Sequence, residues 1–197
     1  NYLMYMVPAL IITMVASLYV KAAYNKWSKV PARSGLTGAE AAQRLIINGG
    51  LYGVQIQAIP GKMTDNYDPR TKVLRLSAGV GNSNSVASLA IAAHELGHAM
   101  QDAEEYLPLK LRSALVPVVN IGSNLGWILI MIGLFLSYAG MTFGVDIAWL
   151  GVVAFAGGVV FALATLPVEL NASARARRLL TETGIISGPD EQRGVSS

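Results

Sequence analysis

The sequence predicts a small α+β domain joined to about three transmembrane helices, with helix predominating. Of its 197 residues 53% are hydrophobic and only 14% charged, and the apolar residues gather in blocks, as in a chain with membrane segments attached to a modest soluble part. All 15 Lys and Arg residues fall in 21–112 or after 174, leaving 1–20 and 113–174 without one. That is the positive-inside distribution of a multi-pass protein. Between the blocks, helical stripes and short alternating runs follow one another, the mark of an α+β domain.

The same composition excludes several classes. The absence of cysteine removes disulfide frameworks, Cys-type zinc sites and thiol nucleophiles. The net charge of +3 is not drawn into a basic stripe with interleaved aromatics, so no nucleic-acid partner is expected.

The first block, 2–20, carries no formal charge and is about as long as a hydrocarbon core of roughly 30 Å requires. Lys21, Lys26 and Lys29 follow it, which predicts an anchor with its N-terminus outside. A cytoplasmic domain is expected over 21–112. Thr37 and Glu40 have capping-box spacing, Ala41, Ala42, Leu45 and Ile46 continue a helical stripe, and Gly49-Gly50 end it. Val54, Ile56 and Ala58 alternate with Gln55 and Gln57 as a half-buried strand does. A polar loop is expected over 65–70 and a second strand over 73–77. Asn82 to Ser85 supply N-cap residue types for a helix running to about Asp102. A second span is predicted over 114–139 and a loop without basic residues over 140–146. The third span, 147–168, contains Gly151, Gly157 and Gly158, which permit close helix packing. A cytoplasmic helix with Arg175, Arg177 and Arg178 follows, and then a polar tail, 184–197, without a packing signal.

The chemistry is concentrated in His94-Glu95-Leu96-Gly97-His98. On a helix, positions four apart share a face, so both imidazoles can reach one metal ion. Glu95 lies one step round, where it can contact a metal-bound water without ligating and take its proton. The chain has only two His residues, and both are in this motif. Two helix-surface histidines is the bland alternative, and their coincidence with the intervening Glu argues against it.

Zinc then needs one more protein ligand beside an open position, and without a third His or a Cys it must be a carboxylate. Asp102, Glu104 and Glu105 are too close on the same helix to swing back. Asp146 falls on the other side of the membrane, Asp65 and Asp68 sit in a turn, and Glu40 belongs to the cap. Glu182, Asp190 and Glu191 lie in or near the tail. Glu169 remains, at the cytoplasmic mouth of the third span, where an acidic residue is costly without a partner. Pairing with Arg175 or capping a helix start is its plainer role. Ser173, one turn on, would face the same way and could hydrogen-bond a ligating imidazole; an ordinary helix-surface serine is the alternative.

Several stretches together resemble one family: Tyr24 to Val30, Leu36 to Glu40, Thr64 to Pro69, Ala92 to Gln101 and Thr165 to Ala176. They follow the order found in the YugP family of bacterial membrane-bound neutral zinc metallopeptidases, more distantly similar to HtpX-type peptidases. The resemblance implies a zincin-like fold and a zinc peptidase of the bacterial inner (plasma) membrane, multi-pass, with its active site on the cytoplasmic side. It implies Zn2+ held by His94, His98 and Glu169, Glu95 as catalytic base, and protein or peptide substrates, with a membrane-protein partner or homo-oligomer allowed. Asn66 stands where the family has His in an Asp-His-Tyr-Asp-Pro run; an amide can still donate a hydrogen bond but carries no charge. Asn66, Tyr67 and Arg70 are therefore candidates for substrate or transition-state contact beside the simpler reading as a loop. A further apolar segment beyond Ser197 is also implied. The strand over 73–77 is expected to be the sheet edge along which an extended substrate lies.

Two rivals are weighed. An intramembrane protease of the site-two type would place the motif within a span, and Val86 to Ala93 is apolar enough. Against it, Asp102, Glu104 and Glu105 follow at once, and no Leu-Asp-Gly third-ligand motif occurs downstream. A non-catalytic, zinc-stabilised scaffold binding a protein partner is the other, since motif and fold do not by themselves make turnover.

Overall fold

The computed structural model describes residues 2–197, without the side chains of 2–6 and 8–10; those side chains of the expected first span lie outside the described residues. The chain divides into two compact units, Asn1–Met100 with Ala172–Ser197, and Gln101–Asn171. The first unit is thus discontinuous in sequence.

In the first unit, α1 (Tyr2–Trp27) leads to α2 (Gly38–Asn48). The predicted capping box is formed: the Thr37 N–H donates to Glu40 Oε2 at 2.8 Å and the Glu40 N–H to Thr37 Oγ1 at 3.3 Å. Two amides that the first turn would leave open are thereby satisfied. Ala41, Ala42, Leu45 and Ile46 bury the expected stripe.

Strands β1 (Gln55–Ile59), β2 (Asn66–Asp68) and β3 (Val73–Ser77) form one sheet in the order β1-β3-β2. Two expectations are corrected here. The polar stretch over 65–70 contains a strand, antiparallel to β3 with Tyr67 opposite Leu74. And β3 is the central strand, paired in parallel with β1 on its other side, so its backbone groups are used on both edges. Leu74 and Leu76, 0% and 1% exposed, show why: the strand carrying the most deeply buried side chains sits innermost. The edges belong to β1 and β2.

A short α3 (Ala78–Gly81) precedes α4 (Val86–Ala103), whose first turn is capped by Ser85, its hydroxyl accepting from the Ser88 N–H at 3.2 Å. Leu89, Ala92, Ala93, Leu96 and Ala99 of α4 enter the core. Ala176, Leu179 and Leu180 join it from the C-terminal part of α6 (Gly144–Glu182).

The tail is packed, against expectation. Ile185 and Ile186 are buried, α7 (Pro189–Val195) forms, and Glu191 is only 3% exposed. The sequence looked loose because its buried acid is polar; the structure satisfies that acid by drawing the Arg33, Ser187 and Gly188 N–H groups onto it at 2.6, 3.2 and 3.4 Å. Burial alone would push the Glu191 carboxyl up, but these amides and the Arg33 charge hold it below the usual carboxylate value.

The second unit contains α5 (Leu107–Tyr138) and α6 up to Asn171. Glycines set their contact: a Cβ on Gly126 would meet the Gly151 carbonyl at 2.8 Å, and one on Gly133 would run into the backbone of Ala148. Gly151 therefore serves the expected close packing, whereas Gly157 faces open space. Among the described residues, α5 and α6 are long and apolar enough to cross a membrane, with almost none of their apolar stretches covered. The spans expected over 114–139 and 147–168 are thus parts of longer helices, which continue through Pro117 and Pro167.

Candidate metal centre

His94, Glu95 and His98 lie in the middle of α4, anchored by the core residues Ala92, Ala93 and Leu96. The His94 and His98 rings have centroids 5.0 Å apart and stand nearly perpendicular, at 86°, as side chains one turn apart on one face can. His98 is 8% exposed and His94 half-buried.

Two contacts orient this group. His94 Nδ1 is hydrogen-bonded to the Ser173 hydroxyl at 3.1 Å. With that nitrogen engaged, Nε2 is the ring atom that could serve as a ligand. On the other side, Glu95 Oε2 accepts from the Tyr67 N–H at 3.0 Å, tying the carboxylate to the backbone of edge strand β2.

Ser173 can reach His94 because the two helix segments nearly touch. A Cβ on Gly97 would collide with the Ala172 carbonyl, so only glycine lets the backbones come this close. The sequence reading passed over Gly97. Its signal was a glycine inside an otherwise strong helical pattern, which costs about 1 kcal/mol and so asks for a packing reason.

In the second unit, Glu169 Oε1 is paired with Arg112 Nη1 at 2.7 Å. It lies on α6 four residues before Ser173. Nearby in that unit, Gln101 Nε2 donates to the Val168 carbonyl and to Asn171 Oδ1 at 2.8 and 2.9 Å. Neither Arg112 nor Gln101 was singled out from sequence.

The remaining candidates have local partners. Asn66 Nδ2 donates to the Thr64 carbonyl at 2.9 Å, and its Oδ1 accepts from Arg75 Nη1 at 3.3 Å. Tyr67 contributes its backbone amide to Glu95, while its ring packs half-buried against the core. Arg70 donates its backbone N–H to Asp68 Oδ1 at 3.0 Å. Asp68 in turn pairs with Arg75 at 3.3 Å, and Asp65 accepts from the Ser77 N–H at 2.7 Å. These acids brace the sheet.

Two imidazoles presented from one helix face are the ligand arrangement of a metallopeptidase. The comparison with known families agrees: the chain belongs to the zinc peptidase family described as "Putative neutral zinc metallopeptidase", whose model matches residues 2–197. It is 40% identical over 190 residues to the "Putative membrane protease YugP" of Bacillus subtilis (strain 168), covering 96% of this chain and 81% of that protein. No solved structure matches.

Proposed function

We propose that this chain is a membrane-anchored, zinc-dependent peptidase that hydrolyses peptide bonds with Glu95 as general base. The observation that carries the reading is the crossed pair of imidazoles on α4, with His94 Nδ1 held by Ser173. The donor chemistry fits zinc: nitrogen ligands with one ring nitrogen hydrogen-bonded, plus a carboxylate. Glu169 is that carboxylate. It stands one turn before Ser173 on α6, and residues four apart share a helix face. Zinc, when bound there, supplies a Lewis acid that acidifies water and polarises a carbonyl.

The chain's own groups carry the rest. As the neutral Nδ1–H tautomer, His94 donates from Nδ1 to Ser173 Oγ, which keeps the Nε2 lone pair for the metal. Tyr67 N–H fixes one oxygen of Glu95, so the carboxylate keeps one orientation while its other oxygen takes a proton from water. The same group returns that proton to the leaving amine, a transfer worth typically about 10²- to 10⁴-fold. An extended peptide would lie along edge strand β2, whose Tyr67 N–H donates to Glu95.

The membrane arrangement is part of the same proposal. Spans at 2–20, 114–139 and 147–168 leave 21–112 and 169–197 on the cytoplasmic side of a bacterial plasma membrane, in keeping with the basic residues. Zinc analysis and casein cleavage by the intact protein, beside Glu95→Gln, test the proposal. The wild type should carry one zinc and cleave; the variant should keep zinc and lose turnover. Zinc-loaded wild type without cleavage, or full activity in the variant, overturns it.

A further inference from the structure

We propose that an apolar cavity beside His94 and Glu95 is the subsite that seats one large apolar side chain of the substrate, next to the bond being cut. The inference rests on the peptidase reading above. The cavity measures about 290 Å³, roughly ten times the ~30 Å³ share of a water molecule in the liquid. That is at the small end of the ~300–1,000 Å³ typical of sites for whole small ligands. It suits a Leu, Met or Phe side chain.

Its position follows from the helix that carries the motif. Ala87, Ala90 and Ile91 precede His94 by seven, four and three residues, which puts them on the same face. Two of these three are alanines, and space remains where larger side chains would have filled it. Helix α1 also lines it, through Val20, Ala23 and Trp27. Among the described lining residues His94 and Glu95 alone carry an imidazole or a carboxylate side chain, so a charge seated away from those two would lose its hydration without compensation. Whatever fills the cavity also borders the two groups assigned to the chemistry, which points to the substrate's own side chain as occupant.

Met63 is another part of the lining. It is 50% exposed and has φ of 55°, a left-handed conformation uncommon for a residue other than glycine. Its unbranched thioether adapts to side chains of different shape, so the subsite should select for apolar bulk and tolerate variation in outline.

The test is cleavage of a peptide mixture by the intact, zinc-loaded protein, with products sequenced by mass spectrometry, for wild type, Ala90→Phe and Trp27→Ala. Wild type should cut beside Leu, Met or Phe at one fixed position relative to the bond. Ala90→Phe, which fills the cavity, should lower kcat/KM for the Phe peptide relative to its Ala counterpart by about 10-fold or more, with zinc content unchanged. Trp27→Ala, which enlarges the cavity, should shift preference toward Trp, and it serves as the readout if Ala90→Phe fails to fold. Cleavage without a fixed apolar position, or with a preference that neither variant alters, overturns the subsite and leaves the peptidase standing. That second result would accompany a cavity occupied by a lipid acyl chain. Zinc-loaded wild type that cuts no peptide overturns the peptidase reading and the subsite with it.

Discussion

Nδ1 of His94 and the hydroxyl oxygen of Ser173, 79 positions apart in sequence, lie 3.1 Å from each other. The bond joins α4 to the C-terminal part of α6, and in the proposed site it would leave Nε2 of His94 to face the metal. Ser173→Ala should therefore weaken zinc binding about 10- to 100-fold, the usual cost of losing a group that orients a ligand. Competition with a fluorescent chelator would read it, and Ser173→Thr, which keeps a hydroxyl, should recover part of the loss. Unchanged affinity in the alanine variant would reduce Ser173 to a packing contact.

Glu169 and Glu182 make a matched pair for testing the third ligand. Both are on α6, and each is ion-paired at 2.7 Å, with Arg112 and Arg178 respectively. Glu169→Gln should lose most bound zinc and all turnover, whereas Glu182→Gln should retain both. If Glu169→Gln kept a full complement of metal, the third ligand would have to be sought elsewhere.

At Gly97 the expected effect is on stability as well as on metal. A methyl group there meets the Ala172 carbonyl, and backbone on both sides gives way only by moving the helices apart. Gly97→Ala should lower the unfolding temperature despite alanine's better helix propensity, by the ~1–3 kcal/mol typical of overpacking, and it should weaken zinc binding. Gly157→Ala, in open space, should do neither.

Acid sensitivity should arise at the tail. Backbone amides and the Arg33 charge hold the Glu191 carboxyl below its usual range despite burial. A group with a depressed folded-state pKa contributes stability above its unfolded value, about 4.3 for Glu, and loses that contribution as the pH falls through the lower folded value. The unfolding temperature should consequently drop below about pH 4.3 in part through Glu191, and Glu191→Gln should flatten that part of the profile. The variant should also be less stable at pH 7, because three N–H groups lose a charged acceptor. An identical pH profile in the variant would assign the acid sensitivity to another group.

Orientation can be tested without removing any native thiol, since the chain contains no cysteine. A cysteine placed at Ser28, one residue beyond α1, should react with an impermeant reagent only after the cells are opened. Labelling in intact cells would invert the proposed topology and move the site to the outer side.

Short-range physics made much of this molecule legible. His94 and His98 share a face because the helical period is a local property, and the Thr37–Glu40 box closes within one turn. The apolar blocks that became α5 and α6 stand out because a membrane-crossing helix needs a long uninterrupted run. Their ends were less clear: both helices extend beyond the blocks into polar sequence, where tertiary contacts supply what hydropathy does not.

Tertiary structure alone decided what joins residues distant in the chain. Pairing on both sides of β3 put that strand in the centre, although a five-residue run reads alike at an edge or in the middle. The tail carries a carboxylate that looks solvent-bound in sequence, and it is buried with the help of one partner, Arg33, from the far end of the chain. Gly97 and Ala172 approach each other through backbone atoms, which leave no hydrophobic pattern to read. The sequence by itself determined which side chains could hold a metal on α4; the approach of a second helix determined which nitrogen of His94 is held, because a hydrogen bond depends on distance and angle that no spacing along the chain encodes.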